Sequence, residues 1–280
     1  MKIIKNIVVP GSHKKPIVTD VFYTENNQPK PILIFCHGYK GFKDWGAWNL
    51  MAKAFADAGY FFIKFNFAFN GGSAEQPIDF PDLKAFGQNN YSKELDDLET
   101  IINWICTYHE FKNEVDLNSI NLIGHSRAGG IVTITAEADN RIKKVVSLAG
   151  VSNYSNRYPI AGDVEQWQKD GVKYVENGRT KQQMPHFYQF YEDFIKNAEK
   201  LDIKRAISHL NKPYLIIHGD ADTSVLIKEA QQLQSWKPDS QFITIEGANH
   251  VFGASHPWEN TELPNHLKTV IETTLKFLQH

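Results

Sequence analysis

Cysteine is nearly absent from this 280-residue chain: only Cys36 and Cys106 occur, and they form no CxxC pair. A disulfide framework and a thiolate zinc site are thereby excluded, and both residues read as buried, reduced packing groups. Long apolar runs are also missing, none reaching the length that crosses a bilayer. Met1 to Pro10 carries no sustained apolar stretch and no small-residue cleavage site, so no signal peptide is expected and a cytoplasmic location is. Neither sign of charge dominates, since 30 Lys and Arg against 32 Asp and Glu give a formal net charge of -2. With the two signs interspersed there is no basic footprint for nucleic acid and no polybasic membrane patch, and the substrate need not be charged. The histidines show no H-E-x-x-H or H-x-x-E-H spacing, and Gly71-Gly72 and Gly129-Gly130 lack the neighbours of a phosphate or dinucleotide loop. No metal and no cofactor is implied.

What remains is an ordinary globular composition, 42% hydrophobic and 22% charged, enough to bury a large core. One domain over residues 1–280 is expected, because a single sheet with its helices often reaches this length. Lys2 to Val9 and Ile17 to Tyr23 are β-rich runs split by Pro-Gly-Ser, which predicts an antiparallel pair at a sheet edge. Strand-like apolar runs follow at Pro31 to Cys36, Tyr60 to Phe67, Ile120 to Ile123, Lys144 to Ala149, Pro213 to His218 and Gln241 to Ile245. Helical patterns lie between or after them at Trp45 to Ala58, Ser92 to Tyr108 with Ser92 as N-cap, just past Ser126, and from Pro264 to Leu278. The alternation predicts an α/β fold with a mostly parallel central sheet and helices on both faces. Residues 151–209 exceed an ordinary connection and are rich in Tyr, Trp, Gln and Lys with helical stretches, so they are expected to form a helical lid insertion over the site.

The most informative stretch is INLIGHSRAGG at 120–130. A strand ends at Gly124, Ser126 follows, and small residues open a helix, as a sharp strand-to-helix turn requires. Such a turn lifts the Ser126 hydroxyl above the sheet at a helix N-terminus, where the Arg127 NH can point at an oxyanion. This resembles the G-x-S-x-G nucleophile elbow of the α/β-hydrolase superfamily, with Ala128 standing where the pattern has Gly. A methyl at that position is expected to crowd helix against strand, with Gly129 and Gly130 able to relax the packing.

The resemblance extends over essentially the whole chain. Phe35-Cys-His-Gly-Tyr-Lys-Gly-Phe-Lys-Asp-Trp45 is similar to the H-G-x loop of esterases and dienelactone-hydrolase-like enzymes, which implies that the Tyr39 NH joins that of Arg127 in an oxyanion hole, with His37 bracing the loop. The run H-G-D-A-D ending at Asp222 resembles the acid-bearing turn, Asp220 being the competitor expected to tie down the turn through its own backbone bonds. Glu246-Gly-Ala-Asn-His250 precedes the closing helix where the family base lies, with His256 as runner-up. Together these imply a serine hydrolase with Ser126, His250 and Asp222 as nucleophile, base and acid, acting on a small-molecule carboxylic ester. Aromatic residues of the lid, Tyr154, Trp167 and Tyr188 foremost, are expected to line a pocket for bulky or aromatic esters such as cinnamoyl types. A prolyl-oligopeptidase-type peptidase and a non-catalytic binding protein on the same fold are the alternatives. The sequence alone leaves monomer against homo-oligomer open.

Overall fold

A computed structural model describes residues 1–279. The chain opens with β1 (Lys2–Val9), β2 (Ile17–Tyr23) and β3 (Lys30–Cys36), then α1 (Trp48–Asp57), β4 (Phe61–Phe65), α2 (Leu83–Gly87) and α3 (Tyr91–Thr107). β5 (Val115–His125), α4 (Arg127–Ala138) and β6 (Ile142–Leu148) follow. The inserted region holds α5 (Val164–Asp170), the hairpin strands β7 (Val172–Glu176) and β8 (Gln183–Phe187), α6 (Gln189–Lys196) and α7 (Ile203–His209). The chain closes with β9 (Tyr214–Gly219), α8 (Ile227–Trp236), β10 (Gln241–Ile245) and α9 (Asn265–Gln279).

Eight strands form one sheet in the order β1-β2-β4-β3-β5-β6-β9-β10. β1, β2 and β4 are joined by antiparallel pairings, and every other neighbour pair is parallel. The apolar runs of the inner strands are continuous because both faces are covered. Along β3, Ile32 and Ile34 point into one core with α3, α4 and α7, while Leu33 and Phe35 point into the other with α1 and α9.

Several boundaries differ from the sequence expectation for local reasons. β5 starts at Val115 rather than Ile120, since Val115 and Asp116 pair with Lys30 and Pro31 before a register shift. Asn90, not Ser92, caps α3: its side chain accepts the Lys93 NH at 2.9 Å, and the Ser92 hydroxyl donates instead to Asp193 at 2.8 Å. α1 starts at Trp48 because Gly46, at φ 55°, turns the chain and its NH donates to His256 Nδ1 at 2.9 Å.

The insertion carries the antiparallel β7–β8 hairpin as well as helices. Its β8 strand sits on α2, so close that a side-chain carbon on Gly87 would stand 2.9 Å from the Phe187 ring. α7 is a layer helix and not part of a lid over 151–209: Ala206 and Ile207 are fully buried in the main core, and Ile203 packs against Gly130 of α4. Among the described residues no helix is long and apolar enough to cross a membrane.

Candidate active site

Three loops at the carboxyl ends of parallel strands converge on Ser126. The serine links β5 to α4 with φ 58° and ψ -121°, a backbone region that non-glycine residues rarely occupy. Its neighbours hold it there: the Ser126 NH donates to the Leu148 carbonyl at 2.9 Å, and its carbonyl accepts the Gly129 NH at 2.9 Å. Gly124 is required by the close approach of the helix, as a Cβ there would lie 2.3 Å from the Ala128 oxygen. The crowding expected from Ala128 does not arise, because its methyl lies in the main core and it is the Ala128 carbonyl that Gly124 accommodates, while Gly129 lets the helix close on Gly150.

His250, in the loop after β10, approaches Ser126 Oγ with Nε2 at 3.0 Å and Asp222 Oδ2 with Nδ1 at 2.7 Å. Asp222 follows β9. Its other oxygen accepts the Ser224 and Val225 amides at 2.8 and 2.9 Å, and His218 Nε2, 3.5 Å from Oδ2, donates to the Val225 carbonyl at 2.7 Å. Burial would raise this carboxyl, but His218, His250 and the Val225 NH outweigh it and hold Asp222 well below the usual carboxylate range. An acceptor fixed in this way orients the imidazole and stabilises a positive charge on it. Asp220 is exposed and bonds the Gly247 NH at 2.7 Å, tying two neighbouring loops together rather than its own turn. His256 accepts the Gly46 NH and packs on Trp45 and Phe42, so it braces a loop and does not reach Ser126.

The loop after β3 lies against the serine, close enough that a Cβ on Gly38 would stand 2.8 Å from Ser126 Cβ. Tyr39 follows Gly38 and Arg127 follows Ser126, and both residues line the same cavity as the serine. Arg127 opens α4, and its NH has no carbonyl within the helix to bond. His37 donates from Nδ1 to the Gly38 carbonyl at 2.9 Å and accepts the Phe67 NH on Nε2 at 3.3 Å. Burial lowers its pKa to about 4, so it is a neutral brace. His125 is likewise neutral, lowered by burial to about 3, and donates to the His250 carbonyl at 2.8 Å. Further down the loop Lys43 and Lys64 share the carboxylates of Asp20 and Asp44, both ammonium groups and Asp20 being fully buried. The Lys43 NH adds a bond to Asn66 Oδ1 at 2.6 Å.

Two cavities meet at Ser126. The larger, about 380 Å³, is lined by Tyr39, Tyr91, Tyr154, Tyr158, Arg127 and Arg157 among others; the smaller, about 190 Å³, by Trp45, Trp48, His125 and Val251. Tyr39, Lys40, Ser126 and His250 border both. Tyr154 lies in the wall of the larger cavity, with its ring stacked on Tyr91 at 3.8 Å and its hydroxyl donating to the Arg127 carbonyl at 3.0 Å. Trp167 and Tyr188 do not line either cavity. The indole NH of Trp167 is satisfied by the His186 carbonyl at 2.8 Å, and its ring packs edge-on against Tyr188, so both are taken up by the core rather than by a cavity wall.

Sequence reasoning used only the amide of Arg127 and missed its side chain. The guanidinium is buried, pairs with Glu94 at 3.2 Å and lies over the rings of Tyr39, Tyr91 and Phe190. Tyr91, Lys40 and Arg157 were missed as well. Only Lys40 lay inside a quoted motif; the others are brought in by packing. Among the described residues no group of three or more His, Cys, Asp or Glu is arranged to hold a metal ion.

Comparison with known proteins agrees with this architecture. The family described as alpha/beta hydrolase fold matches residues 31–171. An uncharacterized 31.7 kDa protein of Escherichia coli, from the traX-finO intergenic region, is 30% identical over 130 residues, covering 44% of this chain and 38% of that protein. The match thus spans well under half the length of that relative. Est1E from Butyrivibrio proteoclasticus, solved with ferulic acid bound, superimposes with a TM-score of 0.73 at 16% identity over 98% of each chain. Dienelactone hydrolase from Anabaena variabilis gives a TM-score of 0.65 at 14% identity over 100% of this chain and 97% of that one. At such identities the structural likeness is one of fold.

Proposed function

The chain belongs to the alpha/beta hydrolase fold family, and on that premise we propose that it is a serine hydrolase that cleaves carboxylic esters through an acyl-enzyme. The observation that carries this reading is the hydrogen-bonded series from Ser126 Oγ through His250 to Asp222 at the meeting point of two cavities. In the reaction His250 Nε2 takes the Ser126 proton as Oγ attacks the ester carbonyl. The Tyr39 and Arg127 amides hold the oxyanion, and Asp222 stabilises the imidazolium. Collapse returns the proton to the leaving alkoxide, and water repeats the sequence to release the acid and free Ser126.

Four tyrosines around the larger cavity support a preference for bulky or aromatic groups, and Est1E, which binds ferulic acid, offers a precedent on the same fold. The decisive test is hydrolysis of p-nitrophenyl esters from acetate upward and of methyl cinnamates, by the wild type and by Ser126→Ala. The variant is expected to melt like the wild type and to lose about three orders of magnitude or more in kcat. Absence of turnover by the wild type on every ester, together with no labelling by a fluorophosphonate, overturns the reading.

A further inference from the structure

Lys40 sits at the junction of the two cavities beside Ser126, and no carboxylate is set against it. Among the described residues its ammonium has no ion-pair or hydrogen-bond partner, and it lies over the face of the Tyr39 ring, 5.3 Å from the centroid. The other cations of the larger cavity are matched from behind: Arg127 by Glu94, and Arg157 by Glu229 and the Ser224 carbonyl. None of those acids lines the cavity, whose charged lining consists of Lys40, Arg127, Arg157 and the titratable His250. The backbone also commits Lys40 to this place. It occupies the left-handed region at φ 55° within the turn closed by the Gly41 NH and the Gly38 carbonyl at 3.0 Å. A half-buried lysine beside a second cation is costly to charge unless an anion comes to it. Burial and Arg127 both lower its proton affinity.

We infer that the substrate carries a carboxylate which enters the larger cavity and pairs with Lys40, with Arg157 and Arg127 adding to the attractive field. One unmatched ammonium suits one negative charge, and a carboxylate is the anion of that charge that esters of diacids and of hydroxy acids carry. This deepens the ester hydrolase reading and rests on it for the chemistry, although the binding step stands apart from catalysis.

The test compares monomethyl esters of straight-chain diacids, succinate to suberate, with methyl esters of the matching monoacids, and acetyl esters of hydroxy acids with acetyl esters of the matching alcohols. In at least one series the anionic member is expected to be favoured by about tenfold or more in kcat/KM, the worth of a charged hydrogen bond. The preference should shrink as salt is added. Lys40→Gln should remove the preference through KM for the anionic esters, and Lys40→Arg should restore most of it. Equal or better turnover of the neutral esters in both series, or a preference that survives Lys40→Gln in a folded protein, overturns the inference. Calorimetric titration of monomethyl adipate into Ser126→Ala separates the two readings. Binding that Lys40→Gln abolishes, together with a wild type that hydrolyses no ester, keeps the anion site and removes the hydrolase. Hydrolysis of neutral esters without Lys40-dependent binding does the reverse.

Discussion

The guanidinium of Arg127 lies over the ring of Tyr39, 4.3 Å from its centroid, so the two residues whose amides are proposed to hold the oxyanion are packed side chain to side chain. The Tyr39 hydroxyl is bonded to His186 Nε2 at 3.0 Å, which fixes the other edge of the ring. The loop and the helix that carry the two amides are thereby held as one unit. Tyr39→Phe keeps the stack and should leave kcat within a few-fold, whereas Tyr39→Ala frees the loop and should lower kcat by about tenfold or more with little change in melting temperature. Steady-state kinetics on one ester, with a thermal melt of each variant, checks this.

Asp222→Asn tests the acid. The amide oxygen can still accept the Ser224 and Val225 amides, so the turn should persist, but an NH2 now faces His250 Nδ1 and favours the wrong tautomer. kcat is expected to fall by about four orders of magnitude near neutral pH, with KM little changed.

The buried cluster of Lys43, Lys64, Asp20 and Asp44 should be unforgiving of single changes. Lys64→Met leaves two carboxylates to share one ammonium, and removing one partner of a buried ionic set costs about 3 to 5 kcal/mol. Urea unfolding should register that loss. A midpoint unchanged from wild type would mean that the cluster is more hydrated than its burial implies.

Asp97 gives a pH dependence with a definite sign. Burial, reinforced by Glu94, raises its carboxyl to about 8, while its Oδ2 accepts the Ala68 NH at 2.7 Å. The folded chain therefore keeps a proton that the unfolded chain has given up above about pH 4. Stability from this group is full at low pH and is lost as pH rises toward 8. Asp97→Asn, which can accept the same NH, should flatten that decline, as read from unfolding midpoints between pH 5 and 9.

The inner strands were legible because both faces of the sheet are covered, which writes an unbroken apolar run into segments such as Ile32 to Cys36. Ser126, Asp222 and His250 were legible as neighbours because each sits just past a strand end in a loop whose composition a sharp turn dictates. The β7–β8 hairpin was not, since it pairs only with itself, β8 resting on α2 and β7 on α5, and carries no strong alternation: Lys173, Glu176 and Gln183 mix with Val and Met. Trp167 and Tyr188 show the limit of reading aromatics by type alone. A ring fills a pocket or a core according to what faces it, and here the His186 carbonyl drew the indole inward. Tyr91 and Arg157 enter the cavity wall from a helix and a loop that share no motif with Ser126, so only packing could join them to it.

Of the three loops that meet at Ser126, the one bearing His250 hangs from β10, the outermost strand, which pairs with β9 alone and shows most of its residues to solvent. The amides of β10 should exchange with deuterium ahead of those of β5, whose partners β3 and β6 shield both its edges. Fraying of that margin would carry the imidazole away while circular dichroism and tryptophan fluorescence still report an intact core. Heat inactivation would then precede the spectroscopic melt, and the shelf life of the catalyst would be set by the tenacity of a single hem of the sheet.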